Sequence, residues 1–224
     1  IMPCVAQKAE SELPTMRTDA GADVDLVLTT REFVRMVRAD KLTPANLAEE
    51  QADSLMGVHT GAGAIFGTTG GVMEAALRTA SYVLTGKDPD PDGFRDVRTG
   101  PGLREATYEI AGISVRCAVV SGLSNARQLI ERLKAGKAHY DFVEVMACPG
   151  GCVGGGGQPI SAEDEELAGV RGGRLYQLDR ESPMRFSHEN PQVQTLYAEF
   201  LGAPLSEKAE TLLHTNHKGW DMPS

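Results

Sequence analysis

Two cysteines followed by a run of glycines mark the stretch of the chain that could carry metal chemistry. Cys148 and Cys152 lie four residues apart in FVEVMACPGGCVGGGGQP, residues 142–159. Two thiols at this spacing can reach one soft metal centre, and thiolates select iron–sulfur clusters, zinc or copper(I). The glycines allow sharp turns and leave backbone N–H groups free to donate to cluster sulfides or anionic ligands. A structural zinc site needs far fewer glycines; the remaining alternative is a reduced cysteine pair in the core beside a flexible turn.

Two more stretches share this character, one at the start of the chain and one in its first half. The first is Met2-Pro3-Cys4, with Gln7 behind it. The second is TGAGAIFGTTGG, residues 60–71, which leads into the helical pattern VMEAALRTASYVL. A glycine-rich loop that feeds a helix amino terminus favours an anionic ligand, because unpaired N–H groups and a partial positive charge meet there. No Gly-Lys-Ser/Thr follows, so the loop is not a phosphate loop, and taken alone it fits close helix packing equally well.

Together, the segments IMPC, AIFGTTGGVMEAALR and FVEVMACPGGCVGGGGQP closely resemble the catalytic domain of iron-only ([FeFe]) hydrogenases, over essentially the whole chain. The resemblance implies reversible oxidation of dihydrogen to protons and electrons. In that family four cysteines hold a [4Fe-4S] cluster. One of them bridges to a diiron subcluster that bears carbon monoxide (CO), cyanide (CN) and a dithiolate. Cys4, Cys148 and Cys152 match three of these metal ligands, with Cys152 in the bridging position; the matching cofactor-pocket residues are Met2, Pro3, Phe66, Gly67 and Met146.

Two departures from the family pattern concern the cluster and its surroundings. The fourth cluster cysteine and the proton-relay cysteine belong to an earlier motif that this chain lacks, so no catalytic residue is expected within it. Cys117 alternates into the apolar side of a strand and is predicted to be a buried core thiol. Gln7 stands where the family has a lysine that hydrogen-bonds a cyanide ligand, and glutamine can donate but carries no charge. The resemblance therefore implies either a carboxyl-terminal fragment or a missing amino-terminal half that arrives as another chain.

Three classes of function are consistent with these motifs. The leading hypothesis is a hydrogenase catalytic segment whose electron carrier is ferredoxin or a nicotinamide-linked subunit. The second is a non-catalytic relative, either a hydrogen sensor or an iron–sulfur protein of the cluster-assembly type, which shares the Cys-Pro-Gly-Gly-Cys loop and has no diiron unit. The third is a simple electron-transfer or structural metal protein, which leaves Phe66, Gly67 and the paired methionines unexplained.

Composition restricts the partners and the cellular compartment that are expected for such a site. The 224 residues are 41% hydrophobic, enough for a proper core, and carry a formal net charge of −9. The negative charge argues against nucleic acid and anionic membrane surfaces as partners. No apolar run approaches the ~20 residues that span a bilayer, and no amino-terminal signal is visible, although a chain that begins with Ile1 is expected to lack its natural start. Cysteines beside glycine and proline turns suit reduced metal ligands, so a cytoplasmic location is expected.

The resemblance and the order of elements predict an iron hydrogenase-like α/β fold of two lobes. Parallel-rich sheets flanked by helices are expected, with the cofactor in the cleft between the lobes. Residues 1–180 are predicted to form the catalytic-domain segment. Residues 181–224 are predicted to form a helical tail that resembles the separate small subunit of some hydrogenases.

Local signals place the elements that hold the motifs. A strand is predicted over residues 24–28, followed by a helix that opens with the capping box Thr29-x-x-Glu32. The helix over residues 72–84 is predicted to end at Gly86, which tolerates left-handed geometry.

The second half is predicted to begin with a hairpin over residues 107–120. Ser124 is then expected to cap a helix that runs to about residue 135. The next strand carries the cysteine loop, so strand, helix and strand form a parallel crossover. Its buried side chains are predicted to be Phe142, Val143 and Val145.

Overall fold

The computed structural model describes residues 1–51, 56–98, 102–161 and 166–214. They form an α/β fold, as predicted, with helices packed on a three-stranded sheet. Predictions for residues 162–165 and 215–224 lie outside the described residues. None of the described helices has both the length and the apolar character needed to cross a membrane.

The helices are α1 (Gln7–Glu10), α2 (Thr30–Ala39), α3 (Gly61–Ile65), α4 (Gly71–Thr85), α5 (Leu123–Lys134), α6 (Ala168–Glu181), α7 (Pro191–Leu196) and α8 (Glu207–Leu213). The strands are β1 (Arg17–Thr18), β2 (Gly21–Ala22), β3 (Leu103–Ile110), β4 (Ile113–Ser121) and β5 (Phe142–Met146).

The sheet in the order β3-β4-β5 carries the cysteine loop. β3 and β4 form the predicted antiparallel hairpin, with Ile110 opposite Ile113 at its turn. β5 lies parallel to β4, and α5 connects the two strands, so the predicted parallel crossover is confirmed. The described sheet is mixed rather than mainly parallel, because its hairpin is antiparallel. The two-lobed arrangement stays a prediction.

The strand predicted over residues 24–28 is wrong. The segment forms no ladder and ends beside an isolated parallel bridge between Met2 and Thr29. The Met2 N–H donates to the Leu28 carbonyl at 2.9 Å, and the Thr30 N–H donates to the Met2 carbonyl at 3.0 Å. A strand needs a neighbour along its whole length to pair its backbone groups. Here the amino-terminal segment gives a single bridge, which still brings that segment to the start of α2.

Helix ends follow the predictions where the signal is local. The Thr29 side chain accepts from the Glu32 N–H, and Glu32 accepts from the Thr29 N–H at 2.8 Å, so the capping box is confirmed. α4 ends at Gly86 with φ of 69°, in the left-handed region. The Ser124 cap is wrong, because α5 begins directly after Gly122. Gly122 has φ of 88°, which lets the chain turn from β4 into the helix two residues earlier than predicted.

The predicted burial of β5 is wrong for Phe142 and Val145, whereas Val143 is partly buried against a core cluster. Phe142 and Val145 are 38% and 50% exposed, whereas the charged residue Glu144 is only 6% exposed. β5 is an edge strand of the described sheet, so its apolar side chains lack neighbours on one side. Glu144 tolerates burial because both carboxylate oxygens accept backbone N–H groups at the start of α4.

The main core cluster lies between α4 and the β3–β4 hairpin. Met73 and Leu77 of α4 pack in one cluster with Phe94, Val119 and Cys117. Burying each large apolar side chain contributes about 1.5–3 kcal/mol. Cys117 is fully buried, which confirms the predicted core thiol, and this burial raises the pKa of its thiol.

A network of buried charges joins α4 to α6. Arg78 is fully buried and donates to Glu74 at 2.7 Å and to both oxygens of Asp179 at 2.9 Å. Such charges are tolerated in the interior only when they are paired and hydrogen-bonded. The sequence alone gives no sign of this network, because Arg78 and Asp179 are 101 residues apart. Its other members are Arg98, Arg185 and Asp92.

Candidate metal centre

The cysteine loop, residues 147–159, follows β5 and turns back sharply on two glycines. Gly150 and Gly151 have φ of 79° and 94°, and a short 3-10 turn, Cys152–Gly154, comes next. A Cβ atom on Gly151 would lie 2.7 Å from the backbone nitrogen of Thr69, so only glycine fits there. The cysteine loop therefore packs directly on the backbone of the other glycine-rich segment.

The predicted ligands Cys4, Cys148 and Cys152 are free thiols on segments that meet at this loop. The Cys148 carbonyl accepts from the Gly151 N–H at 3.0 Å. A Cβ atom on Gly155 would overlap the Pro3 carbonyl oxygen and lie 2.9 Å from the Cys152 carbonyl oxygen, so the Cys4 segment lies beside Cys152. Burial raises the pKa of Cys152, and the thiols of Cys148 and Cys4 raise it further. The Gly157 N–H donates to the Pro3 carbonyl at 3.0 Å, which fastens the Cys4 segment to the glycine run.

A cavity of about 780 Å³ opens beside Cys152. Four more of the predicted site residues line it, from two distant parts of the sequence: Met2, Pro3, Phe66 and Gly67. The remaining predicted residues are not among those that line the cavity. Gln7 begins α1 and Met146 ends β5, and both are half-buried.

Arginines that the sequence analysis missed hold the glycine run in place. Arg31 donates to the Gln158 carbonyl through Nε at 2.9 Å and through Nη2 at 2.8 Å. Arg171 of α6 donates to the Pro159 carbonyl at 2.7 Å. Arg171 and Arg174 also line the cavity, whose described lining residues include no acid. Single basic residues scattered along the chain gave no spacing pattern from which this could be predicted.

Backbone hydrogen bonds join the two glycine-rich segments. The Thr69 N–H donates to the Gly150 carbonyl, and the Val153 N–H donates to the Gly67 carbonyl, each at 3.0 Å. Ser121 adds a side-chain contact, since its Oγ accepts from the Gly150 N–H at 3.0 Å. Ser121 and Glu144 were both missed at the sequence level. The lone acid within the apolar run FVEVM was the available signal for Glu144.

Cys4, Cys148 and Cys152 are of the residue type that holds an iron–sulfur cluster. Among the described residues, no three His, Cys, Asp or Glu side chains are grouped closely enough to bind one ion. The cysteines of a cluster bind different iron atoms, so its ligands lie further apart than those of one ion. Three free thiols, a glycine cradle and an adjacent cavity fit a cluster with a second bulky group beside it. Cys117 is not available as a fourth ligand, because it is buried in the core.

Two family models match the chain. Residues 1–156 match the family described as "Iron only hydrogenase large subunit, C-terminal domain". Residues 165–220 match the family described as "Iron hydrogenase small subunit". The division predicted after residue 180 stays a prediction.

Individual relatives agree with these family matches. The NADP-reducing hydrogenase subunit HndD of Solidesulfovibrio fructosivorans is 45% identical over 97% of the chain and 37% of its own length. The periplasmic [Fe] hydrogenase large subunit of Nitratidesulfovibrio vulgaris is 49% identical over 79% of the chain and 42% of its own length. Cytosolic iron-sulfur assembly component 3 of Mus musculus is 34% identical over 100% of the chain and 48% of its own length.

Solved structures of [FeFe]-hydrogenases also resemble this chain. The [FeFe]-hydrogenase structure HydA(deltaEFG), described as revealing stepwise H-cluster assembly, has a TM-score of 0.77 at 40% identity. The alignment covers 96% of this chain and 61% of that chain. The chain thus spans 37–48% of the length of the three curated relatives. On the family match over residues 1–156, the chain belongs to the iron-only hydrogenase family.

Proposed function

We propose that this chain is the catalytic segment of an iron-only hydrogenase, an oxidoreductase that reversibly oxidises dihydrogen to protons and electrons. One observation carries the proposal: residues from all three glycine- or proline-marked motifs converge on one cavity. Met2 and Pro3 come from the first motif, Phe66 and Gly67 from the second, and Cys152 from the third. The cavity of about 780 Å³ leaves room for a second bulky group beside one of the proposed cluster ligands.

The proposed cofactors divide between the cysteines and the cavity. Cys4 and Cys148 would hold the [4Fe-4S] cluster together with Cys152. Because Cys152 both neighbours the other two thiols and lines the cavity, it would also bridge to the diiron subcluster. When bound, a diiron unit with CO, CN and dithiolate ligands supplies the dihydrogen chemistry. Met2 and Met146 would pack against that unit through soft thioethers, and Gln7 would donate an uncharged hydrogen bond toward it.

The chain's own residues set the apolar and charged surfaces of the site. Met2, Pro3 and Phe66 present apolar surface to the cavity, which suits contact with a bulky cofactor. Arg171 and Arg174 give the cavity a positive side, which suits a group that carries anionic cyanide ligands.

The proposed partners would supply the family cysteines that have no match in this chain. The fourth cluster cysteine and the proton-relay cysteine are proposed to come from an amino-terminal half or a partner chain. Electrons would pass to a carrier such as ferredoxin or a nicotinamide-linked subunit, and the name of the S. fructosivorans relative supports the second. Dihydrogen and protons are the proposed small partners, in the cytoplasm, with residues 181–224 as the small-subunit-like tail.

An infrared spectrum of the full assembly after anaerobic maturation tests this function. We expect intrinsic CO and CN stretching bands in the wild-type protein. A Cys152→Ala variant should lose these bands, whereas Cys117→Ala should keep them, because Cys117 lies in the core. Iron and sulfide without such bands in the wild-type assembly would contradict the proposal.

The second candidate is a non-catalytic iron–sulfur protein of the assembly type. The observation in its favour is the Mus musculus relative, which aligns with 100% of the chain and is named as an assembly component. The same spectrum separates the two candidates, since an assembly-type protein would contain iron and sulfide and give no CO or CN bands.

A further inference from the structure

Residues 66–71, here called the phenylalanine loop, contribute Phe66 and Gly67 to the cavity wall and lead into α4. Gly70 at this point has φ of 87° and has no side chain to cap the helix. The first N–H groups of a helix lack partners within it and need acceptors from elsewhere. Glu144 of β5 supplies them: its two oxygens accept from the N–H groups of Gly70 at 2.6 Å and Met73 at 2.7 Å.

Glu144 is connected to the cysteine loop through the backbone as well as to α4 through its side chain. It lies four residues before Cys148, on the strand that leads into that loop. Burial raises the pKa of Glu144, and the hydrogen bonds from Gly70 and Met73 oppose that rise. Charge-assisted hydrogen bonds to backbone N–H groups are stronger than neutral ones, so this side chain is a stiff link. One residue thereby connects the base of the cysteine loop with the end of the phenylalanine loop.

Ser121 makes a second link between the same two loops. Its Oγ accepts from the Gly150 N–H at 3.0 Å and lies 3.4 Å from the Thr69 Oγ1. Ser121 is the last residue of β4 and pairs with Met146 in the parallel ladder. The two links therefore start from the neighbouring parallel strands β4 and β5 and reach the loop that carries Phe66 and Gly67.

We infer that Glu144 is a positioning residue, which fixes Phe66 and Gly67 relative to Cys152, with Ser121 as a second, weaker link. This inference rests on the proposed function, because the wall in question faces the proposed diiron site. Phe66 is 47% exposed, so its own packing does little to fix the loop. Without the Glu144 link, the start of α4 would lose two acceptors. Ser121 and the backbone bonds from Thr69 to Gly150 and from Val153 to Gly67 would then be left to hold the phenylalanine loop, which would move more freely relative to Cys152.

A Glu144→Gln variant of the full assembly tests the inference. Glutamine keeps the side-chain size but replaces one accepting oxygen with an NH₂ group, which faces a backbone donor. We expect amide hydrogen exchange in residues 67–73 and 148–153 to become at least about tenfold faster. The CO bands should also shift or split, since the cofactor then meets more than one arrangement of the wall. Glu189→Gln is the matched control: Glu189 also accepts a backbone N–H, from Phe186 at 3.2 Å, but in neither loop.

Ser121→Ala serves as the second variant, in case Glu144→Gln does not fold. It should give the same changes to a smaller extent. Unchanged exchange in both loops, or faster exchange with unchanged CO bands, would overturn the inference. If the wild-type protein has no CO or CN bands, the proposed function fails by itself. The positioning role is then decided by exchange and by the electron paramagnetic resonance signal of the reduced [4Fe-4S] cluster, and an unchanged signal in the variants overturns it.

Discussion

At the scale of single residues, the cysteines divide by their surroundings. Cys117 is buried in the α4–hairpin core, whereas Cys4, Cys148 and Cys152 are half-buried around the glycine run. A thiol in an apolar core packs as a small hydrophobic group, and a half-exposed thiol among other thiols suits metal binding. Burial therefore separates the core thiol from the three proposed metal ligands.

This division predicts opposite effects for two substitutions. Cys148→Ala should remove most of the cluster iron with little change in the unliganded fold. Cys117→Ala should keep the iron and lower the free energy of unfolding by about 1–2 kcal/mol, because it leaves a small cavity in the core. Iron per chain and urea unfolding of both variants measure this. Equal loss of iron in the two variants would contradict the assignment.

Asp92 should give the protein an acid-dependent stability. Burial by itself would raise the pKa of Asp92, but hydrogen bonds from Arg98 and Arg185 outweigh it and lower the pKa to about 2. A carboxyl whose folded pKa is lowered stabilises the fold above its unfolded pKa, and this stabilisation is lost as the pH falls. The loss should occur between the ordinary value of 3.8 and about 2. Thermal unfolding across this range should become less dependent on pH in Asp92→Asn, and an unchanged pH profile would contradict the role of Asp92.

How far the site could be predicted from the sequence depended on the kind of residue. Cys152, Met2 and Phe66 belong to long motifs, and the structure brings them together around one cavity. Glu144 and Ser121 accept hydrogen bonds from backbone groups that are distant in the sequence, so no spacing pattern predicts their roles. Their partners become neighbours only after the sheet and α4 have packed.

At the scale of elements, glycine is required at the two ends of α4 for different physical reasons. A Cβ atom on Gly71 would overlap the carbonyl oxygen of Ile65, whereas one on Gly86 would meet nothing within 4 Å. Gly86 is required only for its φ of 69°. One end of α4 is therefore limited by space and the other by backbone conformation.

Alanine substitutions at these ends should differ strongly. Gly86→Ala should lower the free energy of unfolding by about 1–2 kcal/mol, the cost of a left-handed residue with a Cβ atom. Gly71→Ala should lower it by about 3 kcal/mol or more, because backbone atoms must move to make room. Denaturant unfolding of both variants measures the difference. Similar losses would contradict the close approach of Gly71 to the Ile65 carbonyl at the end of α3.

The same contrast explains which elements were predictable. The Thr29 capping box and the Gly86 terminus depend on residues within one turn, so local sequence was enough. The strand over residues 24–28 and the buried face of β5 depend on which neighbour lies alongside. An apolar run such as FVEVM reads as a buried strand, and only the packed sheet reveals that Glu144 faces inward.

At the scale of the whole molecule, buried charges hold together the two parts that the family models separate. Glu74 and Arg78 lie in the large-subunit part, and Asp179 lies in the small-subunit part. α6, which carries Asp179, also lines the cavity through Arg171 and Leu175. The network therefore supports one wall of the proposed cofactor site from a distance.

Asp179→Asn should destabilise the whole protein, not only α6. The substitution leaves Arg78 and Arg185 buried without a full counter-charge, and breaking a buried pair costs about 3–5 kcal/mol. Arg132→Gln is the control, since Arg132 pairs with Glu105 at 3.7 Å on the surface and should cost less than about 1 kcal/mol. Chemical denaturation measures both variants, and the Asp179→Asn transition should stay single, because the network couples the two parts. Two separate transitions in the wild-type protein would contradict this coupling. So would a loss of unfolding free energy at Asp179 as small as that at Arg132, because apolar packing would then hold the small-subunit part in place.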